Sequence, residues 1–196
     1  GPGWSTHPPA REGLRKLLAV ARVPCVIDAD ALNCIALEPD LLPAEHPPMV
    51  LTPHPGEMAR LMNTDTATVQ SNRLEMARQA AQRFGAVVVL KGARTVIATP
   101  EGRIWVNPTG NAGMATGGSG DVLTGAVAGL LAQGLDVEQS AVAGVYIHGL
   151  AGDLAAQEVG TAGLIAGDII RCLPEAIKAL EGEAPAEPLK DRRTEA

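Results

Sequence analysis

The sequence predicts a layered α/β fold with a largely parallel sheet and a hairpin at one edge. Short apolar runs at 25–27, 49–51 and 87–90 alternate with longer stretches of helical periodicity. Two further β-rich runs, 95–98 and 104–106, flank Thr99-Pro100-Glu101-Gly102-Arg103, a Pro/Gly turn. The 196-residue length and 46% apolar content suit a single domain.

In chain order, 11–22 carries Leu14, Leu17, Leu18 and Ala21 at helical spacing, and Val23-Pro24 breaks that pattern ahead of the run Cys25-Val26-Ile27. Asp28-Ala29-Asp30 ends this run. Met49-Val50-Leu51 ends at Thr52-Pro53-His54-Pro55, with a helix expected from about Gly56. A single helix is expected over 67–84, closed by Gly85. From Asp121 an apolar helix runs towards Gly134, and another spans 137–158, where Gly144, Gly149 and Gly152 permit close packing. The last helix, 167–180, contains Pro174, expected to kink or restart it. Residues 1–182 are read as the domain and 183–196 as a disordered tail.

Composition excludes some functions. A net charge of −6 and only four aromatic residues, Trp4, Phe84, Trp105 and Tyr146, disfavour nucleic-acid binding, which needs cations for phosphates and rings for bases. Cys25, Cys34 and Cys172 form no CxxC pair and leave one thiol over in any pairing, which suits a reducing compartment. No apolar run reaches the roughly 20 residues of a membrane span. A cytoplasmic protein without membrane contact is expected.

The 22 glycines are densest where chemistry is most expected. The segment from Asn111 through Gly117, Gly118, Ser119 and Gly120 leads directly into the helix that opens with Asp121. Small residues let backbone N–H groups approach an anion, and the helix N-terminus adds about half a positive charge. This is a phosphate cradle, and Asp121 beside it is the candidate general base; the bland alternative is a glycine turn before a helix-start aspartate. Neither a Walker loop nor a GxGxxG fingerprint fits.

His54, held between Pro53 and Pro55, is expected to donate to a substrate, with Glu57 in the following first turn; alternatively both merely serve the helix start. Asp28 and Asp30, two apart at a strand end, are expected to share a face, with Asn33 adding a contact; helix capping is the alternative. Lys91-Gly92-Ala93-Arg94-Thr95 closes a strand with two cations and suits a phosphate neighbour, or else Lys91 snorkels. His148 and Asp153 lie about 140° apart around their helix and share no metal face. No metal ligand set is assigned.

Together, 26–33, the His54-Pro55-Gly56-Glu57 loop, Leu90-Lys91-Gly92 and 111–125 resemble the NAD(P)H-hydrate dehydratase family, the carbohydrate-kinase-related YjeF C-terminal domain. Gly1-Pro2-Gly3 resembles that family's GPGLG loop, departing from it at Trp4-Ser5. The resemblance implies a ribokinase-like three-layer fold and repair of hydrated NADH or NADPH at the expense of ADP or ATP, with Mg²⁺ carried by the nucleotide. It implies that Gly3, His54 and Asp121 contact the hydrate and that Lys91 to Thr95 with Gly120 contact the nucleotide. It further implies a homo-oligomer, an epimerase domain fused or paired, and a family segment with early strands ahead of the GPG loop, whose lack exposes a sheet edge. A small-alcohol kinase of the same fold class, or a nucleotide-binding fragment without turnover, remains an alternative.

Overall fold

The computed structural model describes residues 1–181. In chain order these form α1 (Pro8–Val20), β1 (Cys25–Ile27), α2 (Asp30–Leu37), β2 (Met49–Leu51), α3 (Pro55–Met62), α4 (Thr66–Ser71), α5 (Arg73–Phe84), β3 (Val87–Leu90), β4 (Val96–Ala98), β5 (Ile104–Val106), α6 (Ser119–Ala132), α7 (Val137–Gly163) and α8 (Ala166–Glu181). The expected tail lies outside the described residues.

The sheet has the order β1-β2-β3-β4-β5. Its first three strands are parallel, with Val26 opposite Val50 and Val50 opposite Val87, while β3-β4 and β4-β5 are antiparallel. Strand alternation sorts side chains to two faces. Leu51, Val88 and Leu90 pack with Leu14, Leu32, Met58 and Ala77 of the helices on one face. Val50, Val87, Val89 and Ile97 meet Leu123, Val127, Ala141 and Val145 of α6 and α7 on the other. A third cluster, including Val122, Ala151 and Ile169, joins α6, α7 and α8. Each fully buried large aliphatic side chain contributes about 1.5–3 kcal/mol, so the sheet is held from both faces.

The glycines of α7 work as expected. A Cβ on Gly144 would meet Val127 at 2.7 Å, one on Gly149 would overlap Thr109, and one on Gly152 would overlap Met114. The helix therefore sits against α6 and against the 107–114 segment backbone-close.

Two expectations need correction. The helix expected over 67–84 is two helices, because the chain leaves helical geometry at Asn72 (φ −133°, ψ 38°) before α5 begins. Apolar spacing continues across this break, which is why periodicity missed it. Pro174 lies inside the continuous helix α8. The helix expected over 137–158 does break just beyond that point, at Gly160 (φ 73°, ψ 163°), and helical turns resume to Gly163.

Candidate active site

Asp28, Thr52 and Lys91 follow directly on the carboxyl ends of β1, β2 and β3, the end of a parallel sheet where ligands collect. Asp28 is only 2% exposed. Its Oδ1 accepts from Lys91 Nζ at 2.7 Å and from Thr52 Oγ1 at 2.8 Å, and its Oδ2 accepts from Thr124 Oγ1 of α6 at 3.1 Å. Burial pushes the Asp28 carboxyl up, but the Lys91 charge and the three hydrogen bonds outweigh it and hold the group below the usual aspartate value. One carboxylate thus ties three strand exits to α6.

Lys91 also lies 3.7 Å from Glu57 Oε2. Its ammonium stands beside the α6 N-terminus, 3.4 Å from where a Cβ on Gly120 would be. Ser119, Asp121 and Val122 direct their N–H groups to the carbonyls of Thr116 and Gly118. Among the described residues, the Gly117, Gly118 and Gly120 N–H groups have no such partner. Gly118 adopts φ 87°, which a side chain disfavours. Free amides at a helix N-terminus with an ammonium beside them are groups that can bind a phosphate.

Asp121 projects from the first turn of α6 and is exposed, with no hydrogen-bond or ion-pair partner among the described residues. Ser119 is buried; its carbonyl accepts from Nε2 of His148 at 3.0 Å. Burial, with Lys91's charge adding to it against the Ser119 hydrogen bond, pushes the His148 pKa down to about 4. A neutral imidazole therefore pins the start of α6 to α7.

His54 serves its helix first. Its Nδ1 accepts from the Gly56 and Glu57 N–H groups at 3.0 and 3.3 Å, and Glu57 returns a 2.7 Å bond from the His54 N–H. This reciprocal cap fixes the ring, which stays half exposed with Nε2 3.6 Å from Glu57 Oε1. Of the two sequence alternatives, the helix-start device is the one these bonds form.

Asp28 and Asp30 do not share a face. Ala29 turns at φ 53°, ψ −120°, and Asp30 becomes the first residue of α2, so strand alternation ends one residue too early. Neither carboxylate caps that helix. Asp30 instead accepts the Ser5 N–H at 2.8 Å, anchoring the loop that contains Gly3 (φ 75°). Asn33 also departs from expectation, accepting from Arg60 Nε at 2.8 Å.

Gly92, Ala93 and Arg94 form an exposed turn, with Gly92 at φ 131° and Arg94 at φ 57°, closed by Thr95 Oγ1 donating to the Gly92 carbonyl at 3.0 Å. Arg73, which the sequence did not single out, donates to the Leu90 and Lys91 carbonyls at 2.9 and 3.3 Å and so sets where the turn leaves β3. Asn111 anchors the glycine segment from outside, donating to the Gly152 carbonyl and to Asp153 at 2.9 and 3.0 Å. Thr52, Thr124 and Arg73 were missed because their partners lie 17 to 96 residues away in sequence. Among the described residues no three His, Cys, Asp or Glu side chains are placed to hold a metal, and no helix is long and apolar enough to cross a membrane.

The NAD(P)H-hydrate dehydratase profile matches residues 1–175. The chain belongs to the NAD(P)H-hydrate dehydratase family. A bifunctional NAD(P)H-hydrate repair enzyme from Moorella thermoacetica is 52% identical over 93% of this chain and 34% of its own length. An ADP-dependent (S)-NAD(P)H-hydrate dehydratase from Neisseria meningitidis is 48% identical over 74% of this chain and 50% of its own. The chain thus spans a third to a half of these relatives. The structure of an ADP/ATP-dependent NAD(P)H-hydrate dehydratase from Bacillus subtilis, co-crystallised with ATP and Mg²⁺, superposes with a TM-score of 0.83 at 36% identity, covering 91% of this chain and 62% of that one. The expected ribokinase-like α/β fold is therefore the fold of this family member.

Proposed function

We propose that this chain provides the nucleotide- and hydrate-binding core of an ADP- or ATP-dependent NAD(P)H-hydrate dehydratase. The observation that carries the reading is the α6 N-terminus, where free amides stand beside Lys91 and Asp121 occupies the first helical turn. Family membership and the ADP-dependent relatives support it.

In this reading Gly117, Gly118 and Gly120 present N–H groups to the terminal phosphate of the nucleotide, with Ser119 holding the turn. Lys91 offsets the phosphate's charge, and the 92–95 turn borders the rest of the nucleotide; Mg²⁺ travels with it. Asp121 takes the proton of the hydrate hydroxyl, whose oxygen attacks the terminal phosphorus while the bond to the bridging oxygen breaks and AMP (or ADP) departs. Loss of inorganic phosphate and of the proton on the adjacent carbon then restores the reduced nicotinamide ring. Preorganised amides matter most here because charge builds on the transferring group. Gly3 and Nε2 of His54 contact the hydrate. The proposal includes homo-oligomerisation and an epimerase domain, fused or separate, as partner.

Incubating the chain with NAD(P)H hydrate, ADP and Mg²⁺ and following reduced-nicotinamide absorbance tests this. Asp121→Asn should slow recovery roughly 10²–10⁴-fold while nucleotide still binds. Unchanged recovery in that variant, or accumulation of a stable phosphorylated product, would overturn the assignment.

A further inference from the structure

Between α2 and α3 runs a groove of about 630 Å³, within the range of small-molecule sites. Asp30 and Thr6 stand at its end nearest the carboxyl rim of the sheet, Asn33 and Arg60 line its middle, and Asn63 and Thr64 its far end. Arg60 is the one cation among the residues that line it. The Arg60 side chain is exposed, but its Nε is tied to Asn33 Oδ1 at 2.8 Å, which fixes the guanidinium across the two helices. Its two Nη groups have no hydrogen-bond partner among the described residues, which leaves the two-donor fork that matches a phosphate free.

Arg60 of the groove lies on α3, the helix that His54 of the candidate site caps. A Cβ placed on Gly56 would lie 2.9 Å from His54 Cε1 and 4.0 Å from Arg60 Nη1, so imidazole and guanidinium flank the same glycine. A dinucleotide whose hydrated ring lies near His54 has a second half to place, and this groove is the concavity whose Arg60 neighbours that residue. Asp30, whose Oδ2 holds the Ser5 N–H, keeps Oδ1 to accept a sugar hydroxyl. In a chain of net charge −6, a lone preorganised guanidinium selects for a ligand carrying an extra phosphate.

Resting on the dehydratase reading, we infer that this groove receives the adenosine half of the substrate and that Arg60 binds its ribose 2′-phosphate, making Arg60 the residue that favours NADPH hydrate over NADH hydrate. The test is calorimetric titration with adenosine 2′,5′-bisphosphate and with AMP, which differ only in that phosphate. Wild type should bind the bisphosphate about tenfold or more tighter. Arg60→Met should remove the preference, Arg60→Lys should restore part of it, and Asn33→Ala, which frees the guanidinium, should reduce it. Equal binding of the two ligands by wild type, or a preference that survives Arg60→Met, overturns the inference. Arg60 is exposed, so unchanged melting of the variants separates lost recognition from lost folding. Turnover of both hydrates with ADP and Mg²⁺ separates the two readings. Hydrates turned over with the same KM ratio by wild type and Arg60→Met would refute the groove and leave the dehydratase standing. A bisphosphate preference without turnover of either hydrate would do the reverse.

Discussion

Lys91→Met should unsettle the whole rim of the sheet, because the carboxylate it leaves behind has no route to water. Asp28 would keep only the hydroxyls of Thr52 and Thr124. Breaking a buried pair from one side costs about 3–5 kcal/mol, and Lys91, with 19% of its side chain exposed, places the loss near the lower end, about 3 kcal/mol. For a domain of this size that is about 6–12 °C in Tm. Asp28→Asn is milder, about 2 kcal/mol, because the stranded ammonium retains Glu57 at 3.7 Å. The double variant should lose at least about 1 kcal/mol less than the two singles together, as measured by urea unfolding. The pH dependence has a defined sign. The folded Asp28 value is depressed, so the advantage of wild type over Asp28→Asn is complete above the unfolded aspartate value near 4 and disappears as pH falls through the folded one. Single effects that add to within about 0.5 kcal/mol, or a gap that persists at low pH, would refute the claim that this pair organises the rim.

His148 titrates in a different window. Its folded pKa of about 4 against about 6.5 unfolded means that the unfolded chain takes up the proton first, so stability falls by on the order of 3 kcal/mol between pH 6.5 and 4, a slope that His148→Gln should lack in chemical denaturation at stepped pH. Gly149→Ala drives a Cβ to 2.9 Å from the Thr109 carbonyl carbon, and should cost about 1–3 kcal/mol by thermal unfolding; a Tm within 1–2 °C of wild type would show that the contact yields cheaply.

The sequence carried the architecture further than the site. Helix and strand periods, the Gly85 cap (φ 57°) and the Pro/Gly hairpin turn are local signals, and each lies where residue spacing placed it. The lead of the glycine segment into α6 was legible for the same reason, since a run of small residues before an apolar helix is a local pattern. The Asp28-Asp30 pair shows where local reading stops, since one residue at positive φ sends the second carboxylate into a helix. Likewise the partner of Asp28 lies 63 residues downstream, and no spacing rule connects a strand-end aspartate to a strand-end lysine until the sheet order is known. Asn33 was noticed as a polar neighbour of the aspartates, but its bond to Arg60 depends on how α2 and α3 lie against each other.

The bare flank of α7 has a consequence for how this protein tolerates change. Because Thr109 and Met114 rest on main chain at Gly149 and Gly152 rather than on movable side chains, the path into the glycine turn is set by the axis of a helix that comes later in the chain. A graft that swaps the turn alone should keep its position, whereas shifting that helix by even a fraction of an ångström would carry the anion-facing amides with it.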